Sequence, residues 1–394
     1  MPPLTVHRET GVPAIDAAVV AFLARHGVPG AAVALMEGAK LACAGAYGFA
    51  DIPVRRPYTE HTPQRLGSLS KPVTAAAVLR LAARRRLPLD EPFLRCVPGL
   101  TPLAVGDGGR RRADARADRI TLRHLLRHAS GLDTASLIHA DSPVFAATGK
   151  KRITTADVAR YALGSVPLRS DPGTAYAYSN LNYVLAGVAV EKASGMPYEA
   201  YCKRHVLAPL GVTGMKIGSG FAPKPADPEA RYYGPSDGSM TPYGPDAETF
   251  MRLGEASGGW VGSLVDVCLL LRGLAPAALA EQVAEPDEAR LVTKTGNRRS
   301  YYGLGWVVNR YDGVAAPEIT HAGMQWCATS TVTRRADGIG IVVLMNGGEV
   351  TKGYTNAAAL LTDEITALLD RGEKRGLPSA DLFPALLRAR PAGR

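Results

Sequence analysis

Arg65-Leu-Gly-Ser-Leu-Ser-Lys-Pro-Val-Thr-Ala-Ala-Ala-Val-Leu-Arg80 contains a change of pattern. Turn residues give way after Gly67, and Ala75, Val78, Leu79, Ala82 and Ala83 then recur at helical spacing. The segment reads as a buried helix entered through a turn. Ser68 and Lys71 stand three residues apart, so they share a face and the amine comes within reach of the hydroxyl. Ser68 would sit in the first turn, where unpaired N–H groups and the positive dipole end favour developing negative charge. Serine is a weak nucleophile until a neighbouring base takes its proton. Lysine can be that base once burial or another cation lowers its pKa. S-x-x-K fixes only two residues, however. The same pair is compatible with Ser68 capping a helix and Lys71 lying in solvent, so the rest of the chain has to decide.

The chain has 394 residues, enough for one large two-lobed unit or two domains. Its 46% apolar and 21% charged residues describe a globular chain. The net charge of +10 would attract anionic partners. Its basic residues fall in short groups (Arg84 to Arg86, Arg110 to Arg112, Lys150 to Arg152, Arg298-Arg299) without interleaved aromatics, so nucleic-acid binding is not expected. Five scattered cysteines, Cys43, Cys96, Cys202, Cys268 and Cys327, form no C-x-x-C and fit reduced thiols. The N-terminus reads as an amphipathic helix interrupted by Asp16, with neither a signal peptide nor a membrane span. Together these features predict a cytoplasmic protein with no membrane partner.

In chain order, residues 12–26 suggest a helix, and Gly30 to Leu35 and Leu41 to Gly48 suggest two strands joined at Glu37-Gly38. Residues 106–118 read as a polar insertion with little reason to order. Ile120 to His128 opens a helix capped by Thr121 and stopped by Ser130-Gly131. His124 and His128 have the i, i+4 spacing of metal ligands, but no third ligand accompanies them, so packing or hydrogen bonding is expected and no metal. A helix follows from Thr154 to Ala162, and a turn from Asp171 feeds a long helix ending at Ala193. Residues 218–248 read as a long irregular loop. The final third carries short strand patterns with turns at Asp312-Gly313 and Asp337-Gly338, then a helix from Thr355 to Leu369. Strands at both ends with helices between predict an α/β (α+β) fold. An antiparallel sheet flanked by helices, lobe 12–66 plus 288–372, would carry an inserted, mostly helical lobe over 67–287 and a weakly ordered basic tail over 373–394. The site would lie in the cleft between lobes.

With these elements in order, the chain resembles the serine β-lactamase-like superfamily of β-lactamases, DD-peptidases, esterases, aminopeptidases and acyltransferases. Gly67-Ser-Leu-Ser-Lys71 is similar to the nucleophile motif, and Leu125-Leu-Arg-His-Ala-Ser-Gly-Leu132 to the L-L-x-H-x-S-G-L helix end. Pro172-Gly-Thr-Ala-Tyr-Ala-Tyr-Ser-Asn180 is similar to the segment holding Y-x-N, and Leu207-Ala-Pro-Leu-Gly211 to the P-L-G turn. His321-Ala-Gly323 is similar to the third motif, K-T-G or H-x-G. Two other matches lack their context. Lys294-Thr-Gly296 spells K-T-G but precedes the Tyr302-Gly-Leu-Gly-Trp306 stretch, and reads as surface. Gly234-Pro-Ser-Asp-Gly238 spells G-x-S-x-G but has no strand before it or helix after it, so Ser236 reads as a loop residue.

The resemblance implies a β-lactamase/transpeptidase-like fold and an acyl-enzyme on Ser68. Lys71 and Tyr178 would share the base work, the tyrosine ionised between two cations or relaying the proton. Asn180 would bond Lys71 or the substrate. His321, beside Gly323, would orient the Tyr178 hydroxyl or bind a substrate carboxylate. The N–H groups of Ser68 and Met324 would form the oxyanion hole. Tyr176 and Tyr183 read as core, and the bulk of Met324 hints at an apolar acyl group. No cofactor is implied. The substrate would be a small ester or amide, with an amine or alcohol as acyl acceptor if the enzyme transfers rather than hydrolyses. A penicillin-binding peptidase or β-lactamase, and a pseudoenzyme that only binds in the cleft, stand as alternatives. The acyl group, the acceptor and the oligomeric state are not encoded in these motifs.

Overall fold

The computed structural model describes residues 4–105, 114–132, 136–224, 226–235, 242–273, 280, 282–286, 291–348 and 356–389. Its strands are β1 (Val6–Arg8), β2 (Gly30–Glu37), β3 (Lys40–Asp51), β4 (Arg56–Pro57), β5 (Gln64–Arg65), β6 (Lys216–Ile217), β7 (Trp260–Gly262), β8 (Thr293–Thr295), β9 (Arg298–Tyr302), β10 (Val307–Tyr311), β11 (Glu318–Gln325), β12 (Ala328–Arg334) and β13 (Ile339–Met345). One antiparallel sheet runs β1-β3-β2-β13-β12-β11-β10-β9-β8, with β4 paired to β3. The two ends of the chain meet at its centre, where β2 pairs with β13 from Ala31↔Met345 to Glu37↔Ile339. A small sheet orders β5-β7-β6.

Side chains alternate across a strand, and here both faces are covered. That is why β2 and β13 are almost uniformly apolar. Ala31, Val33, Leu35, Ile341 and Val343 face the helices Pro13–His26 and Ala357–Asp370. Ala32, Ala34, Val342 and Leu344 join the second core, with Val73, Ala77 and Val78 of the helix Lys71–Ala83 and Leu181 and Val184 of the helix Asn180–Ser194. The helix Leu264–Arg272, which the sequence places with the helical lobe, packs on β2, β12 and β13. No helix among the described residues is long and apolar enough to cross a membrane.

Several segments differ from their sequence reading. Of the polar insertion, residues 106–113 lie outside the described residues, but Arg116 is tied down: it donates to Asp114, to Asp171 Oδ1 (2.8 Å) and to the Leu168 carbonyl (2.7 Å). The irregular loop ends sooner than expected, because Pro245–Leu253 is helical with Pro at its start, and Ser236 lies outside the described residues. Two described residues of that loop, Ser219 and Pro242, are held by Arg65, which is fully buried. Its guanidinium donates to the carbonyls of Pro242 (2.6 Å) and Ser219 (2.9 Å) and stacks 4.6 Å from the Tyr232 ring centre and 5.2 Å from Tyr243. Residues 373–389 are not a loose tail. Phe383 and Leu386 are buried, and the Leu382 N–H donates to the Leu41 carbonyl at 2.9 Å. Two apolar anchors in a basic segment were enough to dock it. Lys294 lies on the exposed strand β8, as its polar neighbours indicate.

The feature that matters most for the site is the fit of the Gly67 turn against β11. Gly67 has φ +54°, and a Cβ there would meet the Met324 nitrogen at 2.7 Å and its carbonyl oxygen at 2.8 Å. A Cβ on Gly323 would meet the Leu66 carbonyl oxygen at 1.9 Å. Backbone touches backbone at both points. Gly323→Ala is therefore expected to destabilise the protein by about 1–3 kcal/mol or more, read from the shift of the denaturant midpoint. An unchanged midpoint would mean that the turn is not held this close.

Candidate active site

Ser68 lies on a 3₁₀ turn, Gly67–Ser70, which runs directly into the helix Lys71–Ala83 with Pro72 near its start. Residues three apart nearly eclipse in a 3₁₀ turn. Lys71 therefore stands over Ser68, and its Nζ is 3.0 Å from Ser68 Oγ. The same nitrogen donates to Asn180 Oδ1 (2.8 Å) and to the Ser257 carbonyl (2.7 Å). Lys71 has no exposed surface, and burial holds its pKa well below the ordinary lysine value. A neutral amine has two N–H groups and one lone pair. Once the amine has lost its proton, the two carbonyl acceptors hold its N–H groups and the lone pair is left for the Ser68 proton.

Tyr178 approaches from the opposite side, its hydroxyl donating to Ser68 Oγ at 2.7 Å. Its ring also lies 4.8 Å below Lys71 Nζ. Although 41% of the residue is exposed, desolvation of the phenol pushes its pKa up, the Ser68 hydrogen bond acting the other way. The resting phenol is thus protonated rather than ionised between two cations. Asn180 begins the helix Asn180–Ser194, with Ser179 in the cap position, so one helix start carries Asn180 inward to Lys71.

His321 does not orient Tyr178. Its Nδ1 lies 2.8 Å from the Ala322 carbonyl, which can only accept, so Nδ1 carries the proton and Nε2 accepts from the Tyr302 hydroxyl at 2.7 Å. Burial, with Lys71 nearby, pushes its pKa down to about 3. His321 is therefore a neutral imidazole whose two nitrogens are both occupied. Tyr302 is a residue the motif reading left unassigned. Its place in the Tyr302-Gly-Leu-Gly-Trp306 stretch was visible, but its partner comes from another strand. Tyr183 is buried as expected, whereas Tyr176 is 48% exposed and lines a cavity of about 190 Å³ with Leu291, Tyr301, Tyr302 and Val307.

A Cβ on Gly67 would meet both the backbone nitrogen and the oxygen of Met324, so the Gly67 turn packs directly on β11 at Met324, which on its β12 side is in register with Thr329. Its side chain is half-buried. His124 closes a capping box with Thr121, while His128 is buried beside Tyr178, so the histidine pair is split between two jobs. No cluster of three metal-ligating side chains occurs among the described residues.

A family model described as Beta-lactamase matches residues 15–364. Esterase EstB of Burkholderia gladioli is 31% identical over 358 residues, covering 83% of this chain and 85% of that protein. Monacolin J acid methylbutanoyltransferase of Aspergillus terreus is 35% identical over 164 residues, 40% of this chain and 39% of that protein. Among solved structures, an octameric penicillin-binding protein homologue from Pyrococcus abyssi superposes with a TM-score of 0.67 at 23% identity, covering 93% of this chain and 79% of that one. D-amino acid amidase from Ochrobactrum anthropi SV3 gives 0.66 at 22% identity, covering 92% and 99%. These two structures speak for the fold.

Because burial lowers the Lys71 pKa, its amine form is reached at lower pH than for a free lysine. Activity should rise with pH through the shifted pKa and then level off. Lys71→Arg, permanently charged, should lower kcat by about 10²–10⁴ across the whole range. Steady-state rates from pH 5 to 10 check both. A variant that recovers at high pH would remove Lys71 from the base role.

Proposed function

The chain belongs to the beta-lactamase family, and on that premise we propose that Ser68 is its nucleophile, working through an acyl-enzyme on small esters. Membership and relatives make it a serine hydrolase or acyltransferase. The observation that carries the finer reading is the Lys71 amine, fully buried, its pKa held well below the ordinary lysine value, bonded to Asn180 Oδ1 and the Ser257 carbonyl and 3.0 Å from Ser68 Oγ.

In this reading Ser68 Oγ bonds to the ester carbonyl carbon as its proton passes to Lys71 Nζ. The carbonyl oxygen gains the charge and is held by the N–H groups of Ser68 and Met324. When the tetrahedral intermediate collapses, the carbon–oxygen bond to the alcohol breaks. The alcohol then leaves with the proton returned from Lys71, through the Tyr178 hydroxyl where that group is closer. Water, or an acceptor alcohol or amine, repeats the sequence in reverse. Asn180 holds Lys71, Gly323 lets the turn approach, and His321 fixes Tyr302.

Esters are favoured because the relative matched over most of both chains is an esterase. Transfer to an acceptor is the second reading, supported by the acyltransferase match. A penicillin-binding or β-lactamase role is less well supported, since His321 is neutral and offers no cation to a substrate carboxylate. The five cysteines are free thiols, which favours the cytoplasm.

Incubation with a p-nitrophenyl ester series should give a p-nitrophenol burst and an acyl adduct by intact mass. Both should be lost in Ser68→Ala. Ester turnover that survives this substitution would sink the proposal.

A further inference from the structure

The helix end Leu125-Leu-Arg-His-Ala-Ser-Gly-Leu132 has no part in the chemistry above, yet it touches the catalytic segment more closely than any packing role requires. We infer that His128 is a positioning residue that sets the Tyr178 hydroxyl on Ser68; the inference rests on the nucleophile reading above. The His128 carbonyl accepts from the Ala177 N–H at 2.8 Å, and its Nδ1 accepts from the Ser179 N–H at 3.1 Å. These are the residues on either side of Tyr178. The imidazole ring packs 4.3 Å from the Tyr178 ring at 32°, with Tyr302 edge-on at 4.5 Å. One residue thus grips the backbone before and after the tyrosine and backs its ring.

The tautomer follows from the same contacts. The Ser130 hydroxyl donates to Asn182 Oδ1 at 2.6 Å, which turns the Asn182 amide nitrogen toward His128 Nδ1 at 3.3 Å. Nδ1 faces two donors, so the proton is on Nε2, which has no hydrogen-bond partner among the described residues. Burial, with Lys71 and His321 nearby, keeps the ring neutral. The backbone is specialised too: His128 has φ +54°, a left-handed conformation at a helix end that glycine or asparagine usually fills. Simple packing would be served by an ordinary apolar residue, and the helix end alone by glycine. A ring acceptor at Nδ1, in that backbone conformation, is needed only to hold Ser179.

Asparagine and glutamine separate these requirements. Asparagine Oδ1 falls near Nδ1 and tolerates the left-handed backbone, whereas glutamine Oε1 falls near Nε2. We expect His128→Asn to keep kcat within about fivefold of the wild type. His128→Gln and His128→Ala should lose about 100-fold in kcat with KM little changed, the scale of an ångström-sized misplacement of a catalytic group. Circular dichroism and thermal melting confirm that each variant is folded. Rates are read with p-nitrophenyl acetate and, independently of any substrate, as the rate of Ser68 labelling by a fluorophosphonate. Nitrogen-15 imidazole spectra should show a neutral Nε2–H His128 from pH 5.5 to 8.5, whether or not the esters are substrates. Equal losses in His128→Asn and His128→Gln, a loss confined to KM, or an Nδ1–H or charged His128 would each overturn the inference. Failure of ester turnover with Ser68 labelling intact would count against the ester reading alone.

Discussion

A lysine amine with no exposed surface, held 3.0 Å from a serine hydroxyl, is the contact on which the other features of the site depend. Burying an ammonium is costly, so burial holds the Lys71 pKa well below the ordinary lysine value. Its N–H groups still need acceptors, and they find them on two segments far apart in sequence, at Asn180 and Ser257. The burial of Lys71 therefore depends on the helix Asn180–Ser194 and the short helix Glu255–Gly258 closing around it.

The sheet supplies the opposite wall. Gly67 and Gly323 bring the nucleophile turn against β11 at backbone contact, closer than any residue with a Cβ could approach. This sets the Met324 backbone, carried on a strand, against the Gly67 turn that holds Ser68. The pairing of β2 with β13 ties the two ends of the chain into one sheet, so the third motif is carried on the same rigid body as the strands before Ser68. Arg65 holds Ser219 and Pro242 through their carbonyls, and the rings of Tyr176 and Tyr302 stack near Tyr178.

The differences from the motif reading share a cause. His321 was expected to orient the Tyr178 hydroxyl or to bind a substrate carboxylate. The Tyr302 hydroxyl, delivered by β9, takes Nε2 instead, and burial removes the charge. Around Lys71, whose pKa burial lowers, the site holds a protonated phenol and two neutral imidazoles. The docked segment after residue 373 and the helix Pro245–Leu253 depart from expectation in a simpler way. In each, a few apolar residues or a proline outweighed a polar composition.

The sequence by itself determined the period of the helices and strands, the turn positions, the S-x-x-K pair and the order of the motifs. Those are local properties, set by spacing along the chain, and they were enough to name Ser68, Lys71, Tyr178 and Asn180 together. Tertiary structure alone decided the lowered pKa of Lys71, the neutrality of His321, the partner of Tyr302, the exposure of Tyr176 and the hold of His128 on Ala177 and Ser179. Each of these depends on which groups from distant segments share one dry volume. Desolvation and hydrogen-bond partnership are set by that volume, and spacing along a chain does not encode it.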